Sequence, residues 1–154
     1  MAKNYWMLVS SADNFETSRA HGFTIQGIKS RHRKKAEKMQ PGDRVLYYCT
    51  GVMGFAGAAT ITSEYFEDHS PIWVSKKDGE EYPFRFHIKP EEILPTGEFV
   101  LAESLLDQLQ FIKKWPPQHW RLAFQGNVHL LPAEDSATIE KAIAARRKAL
   151  VAAS

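Results

Sequence analysis

Cysteine is nearly absent from this sequence, and its scarcity excludes two kinds of site. Cys49 is the single cysteine, so the chain can form neither an internal disulfide nor a cysteine-rich zinc site. Its position in an apolar segment predicts a buried, unreactive thiol. The six histidines show neither HxH nor HxxxH spacing, and an isolated histidine is more often structural than a metal ligand. We therefore predict a protein that holds no metal and no cofactor.

Long apolar runs and the common catalytic motifs are also missing. No segment approaches the ~20 consecutive apolar residues of a membrane-spanning helix, and the run YWMLV near the start is too short for a secretory signal. The sequence contains no GxSxG, no phosphate-binding P-loop and no GxGxxG. These absences predict a cytoplasmic protein that is not an enzyme and has no membrane partner.

What the chain does contain is typical of one globular domain. Of its 154 residues, 44% are hydrophobic and 25% are charged, an ordinary balance for a soluble domain. A domain of this length buries roughly 70% of the surface that its unfolded chain exposes, so it needs no covalent crosslinks. We expect a single domain over residues 1–154 and a monomer.

Positive charge is concentrated in residues 27–46, GIKSRHRKKAEKMQPGDRVL, which we call the basic segment. Against two acidic residues it carries seven basic ones: Lys29, Arg31, Arg33, Lys34, Lys35, Lys38 and Arg44. The whole chain has a formal net charge of only +2, so the remainder is net acidic. A local excess of positive charge attracts phosphates and is typical of nucleic-acid binding, although a solvated helix face would carry the same charges.

Hydrophobic periodicity and turn residues predict a mixture of strands and helices. Strands are expected at residues 5–10, 24–27, 44–50, 55–66 and 82–90. Helices are expected from a cap at Asp13 or Asn14 to residue 21, over 31–39 behind an N-cap at Ser30, and at 101–109, 118–124 and 135–151. In the strand at 82–90, Phe84, Phe86 and Ile88 alternate with Arg85, His87 and Lys89, which predicts one buried and one exposed face. Mostly antiparallel strands with a few helices indicate an α+β fold.

Five segments together resemble the EVE domain, a member of the PUA-like group that includes YTH and ASCH domains. They are NYWMLVSSADNF, the basic segment with the following YY, GFAGAATITSE, YPFRFHIKP and LQFIKKWPPQHWRLAFQGNVHLLPAEDSATIEKAI. The resemblance implies a PUA-like fold, a twisted and partly closed mixed β-barrel flanked by helices. It also implies a pocket, between the barrel and the first helices, that receives a flipped-out or unpaired base, modified in many relatives.

A base-reading pocket needs cations for phosphates, hydrogen-bonding groups for a base edge and an aromatic face for stacking. Lys29, Arg31, Arg33 and Lys34 are the candidates for phosphates. The candidates for the base edge and for the wall behind it are Ser10, Ile25, Gln26, Gly27 and Tyr47. Similarity to the YTH pattern implies one aromatic at the position of Gln26 and a second near Trp73. Trp73 is surrounded by polar residues, so we expect it to be exposed; the aromatics that would substitute at Gln26 are Phe55, Trp120 and Phe124.

Two alternatives to a base reader remain open. Gly27-x-Lys29-x-x-x-Arg33 resembles the signature of ASCH domains, some of which look like ribonucleases, with His32 in place of their glutamate. The other alternative is a protein-interaction module whose basic helix is incidental. We favour non-catalytic binding of DNA or RNA, with recognition of a modified or flipped-out base.

Overall fold

The computed structural model describes residues 3–153, which form eight strands and three α-helices with short 3₁₀ segments between them. The strands are β1 (Tyr5–Ser10), β2 (Ile25–Ile28), β3 (Arg44–Cys49), β4 (Gly54–Ile61), β5 (Phe66–Glu67), β6 (Phe84–Ile93), β7 (Val100–Leu101) and β8 (Val128–Leu131). The α-helices are α1 (Ala12–Ala20), α2 (Arg33–Lys38) and α3 (Ala133–Ala153), and the 3₁₀ segments are Ser30–His32, Ala102–Gln108 and Pro117–Phe124.

The strands form one mixed sheet with a parallel pair near its middle. Its order is β2-β6-β4-β3-β1-β8, with β5 beside β6 and β7 beside β4. β1 and β3 run parallel, with Tyr5 opposite Arg44, and the other pairs are antiparallel. Parallel neighbours need a long crossover connection, and here α1, β2 and α2 supply it. Helices α1 and α2 therefore both belong to this crossover.

The sheet curls into a partly closed barrel whose two end strands are joined by side chains. Asn127, just before β8, accepts a hydrogen bond from the backbone N–H of Lys29 through Oδ1 at 3.0 Å. Its carbonyl accepts from the N–H of Val9 at 2.7 Å. The ammonium of Lys35 donates to the carbonyl of Val128 at 2.7 Å. The predicted PUA-like, partly closed α+β barrel is thus confirmed.

Aromatic packing fills the barrel and ties the helices to it. Phe15 of α1 lies with its ring centroid 5.4 Å from Tyr47 and 5.4 Å from Phe99. On the opposite face of β3, the Tyr48 ring stacks on the Phe124 ring, with centroids 4.1 Å apart and nearly parallel planes. Cys49 is completely buried, so the predicted burial of this thiol is confirmed, and burial raises its pKa to about 12.

Several local predictions were wrong, each because a backbone or tertiary contact outweighed local preference. Ser30 begins a 3₁₀ turn instead of capping an α-helix, and its N–H bonds the carbonyl of Glu81. The N-cap of α1 is Ser11, whose Oγ accepts from the N–H of Asn14 at 3.1 Å. Arg85, expected on an exposed face, is only 2% exposed because residues 68–82 fold over it. The strand β8 was not predicted.

No helix within residues 3–153 combines the length and the apolar character needed to span a bilayer.

Asp43 anchors the start of the parallel pair. The carboxylate is buried and accepts from the N–H of Asn4 and from the indole Nε1 of Trp6, both at 3.0 Å. It also accepts from the N–H of Gln40 at 3.0 Å. Three donors on one buried carboxylate fix the turn before β3 against the entry to β1.

Replacing Asp43 by Ala should therefore lower the free energy of unfolding by about 3 kcal/mol, because one buried and two part-buried donors lose a charged acceptor. Urea titration followed by circular dichroism measures this change. Asp78→Ala is the control, since Asp78 is exposed in a loop and its removal should change stability by no more than about 0.5 kcal/mol. Equal effects of the two substitutions would contradict the anchoring role of Asp43.

Candidate functional site

A large cleft lies at one end of the barrel, between α1, the ends of β1 and β2, and the loop of residues 74–80. Its volume is about 670 Å³, within the range of small-molecule sites. Four of its lining residues, Val9, Ser10, Asn14 and Tyr82, also line an inner cavity of about 10 Å³. We call the larger space the cleft and the smaller one the inner cavity.

Trp73 forms one wall of the inner cavity and lies directly on Gly27 of β2. A Cβ at position 27 would come 2.6 Å from Cζ3 of the indole and 2.9 Å from the carbonyl oxygen of Tyr82. Such distances are well inside van der Waals contact, so only glycine permits this approach. The guanidinium of Arg85 lies 5.3 Å from the indole centroid, within the range of a cation–π contact. Trp73 is thus 7% exposed, and its predicted exposure was wrong.

A chain of hydrogen bonds holds the indole in this position. Nε1 of Trp73 donates to Oγ of Ser18 at 2.9 Å, and Ser18 donates in turn to Oε1 of Gln26 at 3.3 Å. The hydroxyl of Tyr47 donates to the same Oε1 at 2.8 Å. Nε2 of Gln26 donates to the carbonyl of Gly27 at 3.0 Å. Gln26 is therefore the buried hydrogen-bond acceptor behind Trp73. None of the aromatic residues expected to substitute for it lies at this position.

The loop that carries Trp73 is fastened at both ends. Asn14 of α1 donates to the carbonyl of Val74 at 2.8 Å and accepts from its N–H at 2.9 Å. The same amide donates to the Tyr82 hydroxyl at 3.2 Å. On the far side, Arg85 donates to the carbonyl of Tyr82 and to both the hydroxyl and the carbonyl of Ser70. The wall of the cleft is therefore built from side-chain contacts to loop backbone.

The rim of the cleft carries four cations and two carboxylates, and one carboxylate already binds two of the cations. Glu80 accepts from Lys29 at 3.4 Å and from Arg31 at 3.5 Å. Its Oε1 also accepts from the Ser75 hydroxyl at 2.5 Å. The Ser75 hydrogen bond and, after it, the charge of Lys29 hold the pKa of Glu80 below its usual value. Glu80 is therefore ionised at neutral pH and partly neutralises Lys29 and Arg31.

The structure brings some of the predicted site residues together. Ser10, Lys29 and Arg31 line the cleft. Gln26 and Trp73 line the inner cavity. Gly27, a candidate for the base edge or its wall, lies beneath Trp73 and is covered by the indole. Tyr47 is buried behind Gln26 as part of its hydrogen-bond chain.

Other predicted site residues lie away from the cleft. Arg33 pairs with Glu37 of α2 at 3.1 Å and lies over the Phe84 ring, while Lys34 is exposed on the same helix. Ile25 sits in β2 opposite His87. Three predicted aromatics pack in the core around Tyr48: Phe55, Trp120 and Phe124. Their burial comes from this mutual packing, which removes their faces from a base in the cleft.

Sequence reasoning missed the residues that shape the wall and the rim. Asn14 was considered only as a helix cap, and Tyr82 only as the start of a strand. Glu80 and the adjacent pair Lys76 and Lys77 line the cleft from a loop whose distance in sequence from the basic segment hides the contact. The only signal for them was the polar, charged character of the residues around Trp73.

Comparisons with known proteins agree with this architecture. The EVE domain model matches residues 4–141. A UPF0310 protein of Pyrococcus abyssi is 27% identical over 146 residues, covering 89% of this chain and 97% of that protein. The crystal structure of the YTH domain of Zygosaccharomyces rouxii MRB1 protein in complex with N6-methyladenosine RNA is similar at a TM-score of 0.65 and 19% identity. That similarity covers 92% of this chain and 86% of that one. The Mmi1 YTH domain in complex with RNA gives a TM-score of 0.65 at 10% identity over 92% and 78% of the two chains. The predicted resemblance is confirmed at the level of family and fold.

Gly27→Ala should displace Trp73 from β2, because the new methyl would overlap the indole. We expect a loss of about 1–3 kcal/mol in the free energy of unfolding and a shifted indole Nε1–H signal of Trp73 in the NMR spectrum. Gly51→Ala is the matched control, since a Cβ there meets nothing within 4 Å. An unchanged Trp73 signal in Gly27→Ala would show that the indole does not rest on this glycine.

Proposed function

The chain belongs to the EVE domain family, and we propose that it is a non-catalytic nucleic-acid-binding domain that reads a modified or flipped-out base in its cleft. The observation that carries the proposal is the pairing of a polar inner end with a cationic rim around one cleft of about 670 Å³. The polar inner end can form hydrogen bonds with the edge of a base, and the cationic rim can bind the adjoining phosphates.

A base has to leave its stack before a protein can read all of its edges. The outer part of the cleft is large enough for such a base, while the inner cavity of about 10 Å³ is not. At their boundary lie the hydroxyls of Ser10 and Tyr82. Ser10 donates to the carbonyl of Ser11 and can still accept from a base edge. Tyr82 accepts from Asn14 and can still donate to one. Because Gly27 and Arg85 cover Trp73, these polar groups are better placed than the indole to discriminate between bases.

The rim supplies the contacts to phosphate. Lys29 and Arg31 stand on one side of the cleft, and Lys76 and Lys77 stand on the loop at the other. Two of the similar structures are YTH domains in complex with RNA, one of them with N6-methyladenosine RNA. These similarities favour RNA as the first ligand to test, with DNA in parallel.

The ribonuclease alternative would use Lys29 and Arg33 on one phosphoryl group. In the structure the two side chains have different partners, Glu80 for Lys29 and Glu37 for Arg33. No feature of the cleft favours cleavage over binding. The binding experiment below also reports cleavage, since a shortened oligonucleotide is visible on a gel.

The test is a binding screen of labelled five-nucleotide single strands, RNA and DNA, each with one central base that is either unmodified or modified. The panel includes N6-methyladenosine in RNA and 5-methylcytosine in DNA. We expect one modified base to bind at least tenfold more tightly than its unmodified parent, which corresponds to about 1.4 kcal/mol. Equal affinity across the panel would overturn the proposed base recognition and favour the protein-interaction module.

Within the basic segment, Lys29→Ala should weaken binding of the preferred oligonucleotide about fivefold and reduce the slope of log affinity against log salt by about 1. Arg33→Ala is the matched control, because it removes the same charge from the same segment outside the cleft. Fluorescence anisotropy at several salt concentrations measures both. Equal losses for the two variants would indicate attraction to general charge, with no special role for the cleft.

A further inference from the structure

The cleft continues into a second depression on the far side of β1. This side pocket has a volume of about 290 Å³, and three of its lining residues, Val9, Thr50 and Gly126, also line the cleft. The two spaces therefore adjoin at the carboxyl ends of β1 and β3, and we call the pair of them the groove. A ligand longer than a single base would extend from one into the other.

Tyr48 places a hydroxyl at the side pocket. The ring is packed against Phe55 and Phe124 and the side chain is only 2% exposed, yet the residue lines the pocket. Within residues 3–153 no hydrogen bond engages the hydroxyl. Burial raises the pKa of this phenol to about 12, so the hydroxyl stays protonated and can donate to a group bound in the pocket.

Arg121 adds a cation at the same place. Its guanidinium lies 5.1 Å from the centroid of the Trp120 ring, and its Nε donates to Sδ of Met53 at 3.1 Å. These contacts hold the group over the side pocket, and none of the ion pairs found within residues 3–153 includes it. It differs in this respect from Lys29 and Arg31, which Glu80 already neutralises in part.

We propose that the side pocket binds the nucleotide next to the one held in the cleft, with Arg121 and the Tyr48 hydroxyl contacting its phosphate. This inference rests on the proposed function and adds the direction in which the strand leaves the cleft. The strand passes over Thr50 and Gly126, where both spaces meet, towards the cation that lacks an acidic partner. The cleft thereby recognises one base, and the side pocket binds the adjacent nucleotide.

The experiment compares two probes made from the base preferred in the screen: its free nucleoside, and the five-nucleotide single strand that carries it at the centre, flanked by uridines or thymidines. Arg121→Ala should weaken the pentamer about tenfold and Tyr48→Phe about threefold. Neither substitution should change the affinity for the nucleoside, which ends before the side pocket. In NMR titrations the backbone amide of Gln125, which lines the side pocket but not the cleft, should shift with the pentamer and not with the nucleoside.

Arg146→Ala is the control, because it removes an exposed arginine of α3 that pairs with Glu98, away from both spaces. If Arg121→Ala weakens the pentamer no more than Arg146→Ala does, the side pocket holds no nucleotide and this inference is overturned. If the wild-type protein binds neither probe above the level of unmodified strands, the proposed function itself fails. A nucleoside affinity that falls in Tyr48→Phe would instead place the base, and not its neighbour, in the side pocket.

Discussion

The contact between Gly27 and Trp73 is the constraint on which the arrangement of the cleft depends. Because position 27 has no side chain, the indole lies on β2 and the loop of residues 68–82 closes over the end of the barrel. Closure then places Val74 within reach of Asn14 and brings Glu80 to the basic segment. Any larger residue at 27 would move the wall and the rim together, since the same loop carries both.

The parallel pair explains why the groove lies where it does. β1 and β3 end at the same edge of the sheet, so Ser10 and Thr50 face one space although forty residues separate them. Asn127 ties this edge to the start of the 3₁₀ turn through the N–H of Lys29. The groove is thus assembled from the ends of strands that the crossover and the barrel closure bring together, and these ends are rigidly held by backbone hydrogen bonds.

Much of the fold could be predicted from the sequence, because its signals are local. β1 was placed with both ends correct, β3 within one residue, and the alternation of Phe84, Phe86 and Ile88 identified the buried face of β6. The cleft could be predicted only in part. The charge of the basic segment predicted Lys29 and Arg31, because a run of basic residues is visible in one stretch of chain. The family resemblance predicted Ser10 and the region around Trp73.

What escaped prediction depends on contacts between distant parts of the chain. Trp73 has polar neighbours in sequence, but its environment is set by Gly27 on β2, far from it along the chain, and by Arg85 on β6. Gln26 likewise has no local feature that marks it as the acceptor for Ser18 and Tyr47. Burial of polar and aromatic groups at such a place is decided by partner geometry, which single-sequence patterns do not contain.

Glu80 gives two cations at the rim of the cleft an internal carboxylate partner. In the free protein Lys29 and Arg31 already have a carboxylate partner, and that carboxylate is itself held by Ser75. An anion that bound Lys29 or Arg31 would therefore have to compete with Glu80, and the free energy it gained would be the difference between two ion pairs. Under the proposed function, this internal competition would weaken binding through charge alone, so selectivity would depend more on the other contacts in the cleft.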